Sequence, residues 1–129
     1  MIVAGVGFRR SAAADEIVAL VERALAEAGL EPARLSRLAT LAPLSSEVAF
    51  RDAARRLAVP PVGVDGATAR DAAPRVQTTS ARALAAHGVG SVAEAAALGA
   101  AGPESRLVHG RIASAAATCA LAALPETRA

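Results

Sequence analysis

A chain of 129 residues with only two aromatic side chains, Phe8 and Phe50, must build its interior from Ala, Val and Leu. Such side chains bury little area each, so the layers of the fold must approach one another closely. At 53% hydrophobic there is enough apolar material for a core, which excludes disorder, and the length suits a single domain over 1–129.

All 14 basic residues are arginine, against 12 acidic ones. The pI near 9.9 comes from this small surplus in a chain without lysine or tyrosine to titrate. It does not mark a nucleic-acid protein, because no basic run or interleaved aromatic stacking platform is present. Cys119 is the only cysteine, which rules out an intrachain disulfide and fits a reducing, cytoplasmic setting. The N-terminus lacks the charged start of a signal peptide, and no apolar run approaches the ~20 residues of a membrane helix. No membrane partner is expected.

Residues 2–7 (IVAGVG) read as a buried strand. Ser11 reads as the N-cap of a helix whose apolar face is Ile17, Val18, Val21, Leu25 and Ala28, stopped by Gly29. Residues 35–41 form a second strand. Ser45 or Ser46 caps a helix over 46–57, with Val48, Ala49, Ala53 and Leu57 on one face, and 61–65 is a third strand. Residues 66–79 read as loop with one helical turn at most. Ser80 begins a short helix closed by Gly88, and Ser91 with Glu94 spells a capping box for a helix running to about Leu98. The remainder has two readings: strands on either side of His109-Gly110, or a terminal helix over 112–124, which alanine favours on propensity.

Strands alternating with helices predict α/β layers, and in an open α/β sheet ligands bind at the carboxyl ends of strands. GVGFRRS (5–11) and APLSSE (42–47) fall there. Gly5 and Gly7 allow close backbone approach, and Arg9 and Arg10 offer forked donors for carboxylate or phosphate. The same residues also read as a tight turn with two solvated arginines. Arg10 stands where a dinucleotide fingerprint needs its third glycine, so no nucleotide cofactor is expected. Glu47, in the first turn of its helix, is explained by the dipole unless it faces the crevice of Gly7. Arg111 reads equally as a solvated charge or a ligand clamp. His87, His109 and Cys119 lack metal-site spacing, and Cys119 reads as core. No metal is expected.

Taken in order, GVGFRR, the LATL strand with Glu47 after it, GVGSVAEAAALGAAG (88–102), a basic residue and ATCALA (117–122) resemble the CobE family. That family is similar to the C-terminal domain of CbiG, from cobalamin biosynthesis. The resemblance spans essentially the whole chain, and SVAEAAAL is its most specific piece. It implies an α/β fold, a three-layer α/β/α domain with a mixed, mostly parallel sheet whose last segment pairs as strands. It also implies a corrin or precorrin intermediate as partner, with other cobalamin-pathway enzymes as further partners and no cofactor.

Mapped by resemblance, the binding residues are Gly5, Gly7, Phe8, Arg9, Arg10, Ser45, Ser46, Ser91, Glu94 and Arg111, and Glu47 is the catalytic candidate. Phe8 packs against a ring in that reading and closes the sheet edge otherwise. Leu44 departs from the pattern, since relatives commonly carry lysine there; Arg111 stands where lysine is usual. Three functions follow: a binder or carrier of a polycarboxylate precorrin; a hydrolase opening a ring-fused lactone with acetaldehyde release, as CbiG-type proteins do with further domains; or an interaction module with no small-molecule site.

Overall fold

A computed structural model describes residues 1–125; the last four residues of the expected 1–129 domain lie outside it. The chain runs β1 (Ile2–Phe8), α1 (Ala14–Glu27), β2 (Leu35–Leu41), α2 (Val48–Arg56), β3 (Pro61–Val64), α3 (Gly66–Asp71), α4 (Ala81–His87), α5 (Val92–Ala101), β4 (Arg106–Ala113) and β5 (Ala117–Ala123). The sheet order is β3-β2-β1-β5-β4. β1, β2 and β3 pair in parallel, while β5 runs antiparallel to both β1 and β4. The sheet is therefore mixed, with one reversed strand, as expected.

Its two faces carry two cores. On one, Ile2, Ala4 and Val6 of β1 meet Ile17, Val21 and Leu25 of α1 and Phe50 and Ala53 of α2. Phe8 stacks on Phe50, with ring centroids 6.1 Å apart. On the other, Val3, Ala39 and Val64 meet Ala69 of α3 and Ala95–Leu98 of α5. Alternation along β1 assigns its residues to the two faces. The alanine-rich α5 lies so close to β1 that a β-carbon on Gly5 would run into the Ala93 carbonyl oxygen and the Ala97 nitrogen. Small side chains secure this core by proximity.

The structure corrects several boundaries. α1 begins three residues after Ser11, with Ala13 at its N-cap, and Ser11 is exposed. α2 begins at Val48 with Glu47 at the N-cap; neither Ser45 nor Ser46 caps it. Val48 is 82% exposed and faces away from the core, which Phe50, Ala53 and Ala54 fill instead. Residues 66–71 are a helix capped by Asp65, whose side chain accepts from the Thr68 N–H at 2.8 Å. α5 continues through Gly99 to Ala101.

Residues 106–123 are strands, against alanine's helical propensity, because both pair within the sheet and β5 is buried between β1 and β4. The turn between them is Ser114–Ala116; His109-Gly110 lies within β4. Cys119 is buried in β5, where desolvation pushes its thiol up to about 12, as suits a core residue. No single helix among the described residues is long and apolar enough to cross a membrane.

Candidate binding site

At the carboxyl end of β1 the sheet opens into a hollow of about 320 Å³. Its walls come from the end of β1 (Gly7, Phe8, Arg9), α4 (Arg82, His87), the N-terminus of α5 (Ser91, Val92) and the β4–β5 hairpin (Arg111, Thr118). The topology explains the meeting. β5 is antiparallel to β1, so the hairpin turn projects past the same sheet edge as the end of β1. Gly7 keeps the floor low, since a β-carbon there would sit 2.9 Å from Thr118 Oγ1 and 3.1 Å from Val92 Cβ.

The rim is tied down from two sides. The Arg9 N–H donates to the Ala116 carbonyl at 2.9 Å. Glu16, reaching from α1, accepts from the Ala116 N–H at 2.7 Å and from the Ser114 hydroxyl. The Ser114 hydroxyl and the Ala116 N–H hold the Glu16 carboxyl below its ordinary value.

Three arginines line the hollow: Arg9, Arg82 and Arg111. Among the described residues none of their side chains makes a hydrogen bond or ion pair, and no carboxylate lines the hollow. The positive end of the α5 dipole points to the same place. Ser80, Ser91, Ser114 and Thr118 add hydroxyls, and alanines supply the apolar surface between them. Chemically the arrangement sets positive charge and hydroxyl groups around an apolar surface.

Glu94 lies beneath the hollow, fully buried. The capping box is half formed: Ser91 Oγ accepts from the Glu94 N–H at 3.2 Å, but the Glu94 carboxylate turns away from Ser91. Its Oε1 accepts the Gln77 and Thr78 N–H groups, each at 2.8 Å. Its Oε2 accepts the Thr78 hydroxyl at 2.8 Å and the Arg111 N–H at 3.0 Å. Burial pushes this carboxyl up, but the donors from Arg111, Thr78 and Gln77 outweigh it and hold the group below its ordinary value.

Of the residues expected to bind, Gly7, Phe8, Arg9, Ser91 and Arg111 meet at the hollow. The others lie elsewhere. Gly5 is buried under α5, so its missing β-carbon admits a helix, and Arg10 sits exposed in the turn after β1. Ser45, Ser46 and Glu47 belong to the β2–α2 connection and do not line the hollow. The Ser45 hydroxyl donates to the Ala42 carbonyl at 2.6 Å and packs where a β-carbon on Gly63 would intrude. Glu94 does not line the hollow and reaches it through its hydrogen bonds to Arg111, to Ser91 and to the Gln77–Thr78 segment ahead of α4.

Arg82 was not singled out from sequence. Its signal was the spacing of Arg82, Ala83, Ala86 and His87 on one face of α4, which indicates a shared face but not what that face meets.

Comparison with known proteins bears on the whole chain. The family model described as "Cobalamin synthesis G C-terminus" matches residues 2–122. The curated protein CobE from a Sinorhizobium species is 42% identical over 128 residues, covering 99% of this chain and 83% of that protein. A crystal structure of CobE, a protein from the cobalamin (vitamin B12) biosynthetic pathway, superposes with a TM-score of 0.92 at 36% identity, covering 99% of this chain and 93% of the other. The cobalamin biosynthesis protein chiG from Agrobacterium tumefaciens gives 0.77 at 32% identity, covering 98% of this chain and all of that one.

Proposed function

Because the chain belongs to the family of CobE and the cobalamin synthesis G C-terminus, we propose that it binds a precorrin-type intermediate by its carboxylates, in the hollow at the end of β1. It is a cobalamin biosynthesis pathway protein; binding, as carrier or accessory factor, is the reading the site supports best. The observation that carries it is the set of three arginines around a hollow that, among the described residues, no carboxylate lines. Corrin precursors bear acetate and propionate arms on a flat apolar ring. Arginine matches carboxylates two donors at a time, and the alanine-lined surface between suits the ring edge.

Binding is favoured over the lactone hydrolysis assigned to Glu47 because the hollow is not built around that residue, which lies outside it. The absorbance of a precorrin intermediate or of uroporphyrin, an octacarboxylate tetrapyrrole, is expected to shift on titration with the protein. Arg9→Ala and Arg111→Ala are each expected to weaken binding about tenfold, the loss of one charge-assisted hydrogen bond. The loss is larger at low salt than at high salt, where screening has already weakened exposed pairs. No acetaldehyde is released. Absence of any spectral shift with these tetrapyrroles removes the proposal; acetaldehyde release abolished by Glu47→Gln replaces it with the hydrolase.

A further inference from the structure

We propose that Glu94 is a positioning residue of this site: it locks Arg111 of β4 and the segment leading into α4 to one frame, so that Arg111 and Arg82 address the same anionic ligand. The inference rests on the binding function proposed above and adds a residue that does not itself touch the ligand.

The first support is the bulge in β4. His109 pairs with Leu121 and Ile112 with Cys119, so Gly110 and Arg111 together oppose one residue of β5. A bulge releases a backbone N–H from the ladder and re-aims the neighbouring side chain. Here the Arg111 N–H donates to Glu94 Oε2 at 3.0 Å, and the same residue lines the hollow. Gly110 lies beside this carboxylate: a β-carbon there would be 3.6 Å from Oε2, an ordinary contact.

The second support is α4. None of its seven residues is buried, so its own packing cannot hold it in place. Its ends do. On the lead-in side the Gln77 and Thr78 N–H groups and the Thr78 hydroxyl all donate to Glu94. On the far side Gly88 takes a left-handed φ of 72°, Val89 is buried, and the Ser80 N–H donates to the Gly90 carbonyl at 2.8 Å. One carboxylate on a rigid helix thus joins two segments distant in sequence, and each segment carries an arginine of the hollow. A carboxylate suits the task because it accepts at both oxygens and donates at neither. A glutamine amide in its place would set N–H against N–H at one of the two segments.

The test is a pair of double-mutant cycles with uroporphyrin titrated by absorbance, with folding monitored by circular dichroism. Glu94→Gln alone is expected to weaken binding about tenfold, as Arg111→Ala does, on the scale of one charge-assisted hydrogen bond. The double variant E94Q/R111A should lose clearly less than the product of the two single losses, because part of the Glu94 effect passes through Arg111 and only the part that passes through Arg82 remains, while E94Q/R9A should show the two losses multiplied. Without ligand, amide exchange at Gln77, Thr78, Arg111 and through α4 should accelerate in E94Q, with β1 and β2 unchanged. Should E94Q not fold, Glu94→Asp carries the same cycles, since its shorter arm cannot reach both segments. Unchanged affinity in E94Q, or losses that multiply with R111A as they do with R9A, overturns this proposal alone. No binding of uroporphyrin or a precorrin intermediate by the unaltered protein overturns the binding function and this proposal together.

Discussion

Gly5 and Glu94 are the residues whose roles changed most between sequence and fold. As part of a glycine loop, Gly5 suggests ligand approach; in the sheet it is the point where α5 crosses β1. Gly5→Ala would drive a β-carbon into the Ala93 carbonyl, the Ala97 nitrogen and the Ala97 side chain. Backbone atoms cannot step aside as a flexible side chain does, so the expected cost is about 3 kcal/mol, the upper end of overpacking penalties. Urea unfolding measures it, and a midpoint equal to that of the unaltered protein would contradict this packing. Ser91 and Glu94 lie three apart and spell a capping box in sequence, because nothing local indicates that Thr78 and Arg111 will arrive to compete for the carboxylate. Phe8 stacks on Phe50 and borders the hollow.

Among the elements, α4 runs from its Ser80 cap to Gly88 as its residues predict, while α3, read as loop with one helical turn at most, was the helix least legible in sequence. The face Ile17, Val21, Leu25 identifies α1 outright, and Gly29 closes it with a left-handed φ of 71°. Its start was misplaced because Ser11 has the chemistry of a cap but the turn after β1 extends two residues further, with the Ala12 N–H donating to the Arg9 carbonyl. The last two strands show tertiary pairing overriding propensity. α4 sits at the opposite extreme from them: it is amphipathic by spacing yet has no buried residue, and Leu84 is 46% exposed. Few buried contacts mean low local stability. Amides of α4 are expected to exchange at least about tenfold faster than those of α5, and a bound polycarboxylate tetrapyrrole should slow them. Equal protection in α4 and α5 would show that the short helix is held by more than its ends.

For the molecule as a whole, four carboxylates are held below their ordinary values, and three of them, Glu16, Glu27 and Glu94, tie separate parts together while Asp65 caps its own helix. The Ser114 hydroxyl acts on Glu16, Arg23 and then His109 on Glu27, and the Thr68 N–H on Asp65; at Glu94, burial opposes the donors and loses. A carboxyl whose folded value is depressed stabilises the fold fully above its unfolded value, about 4.3 for Glu and 3.9 for Asp. That contribution is lost as pH falls through the folded value. Stability is therefore expected to stay level with respect to these groups above about pH 5 and to fall below about pH 4, as read by urea midpoints across the range. E94Q should lose less over that interval, and a parallel curve for E94Q would show that Glu94 does not titrate with folding.

What the sequence determined by itself is the material and the rhythm of this protein. Small aliphatic side chains demand close layers, and apolar runs alternating with amphipathic ones demand an α/β sandwich. The order of its motifs carries the family. The tertiary structure alone decided which loops share a hollow, because that depends on β5 reversing beside β1 and on a bulge turning Arg111 inward. Both are pairings between residues far apart in the chain, and no local pattern encodes the partner a backbone group will find.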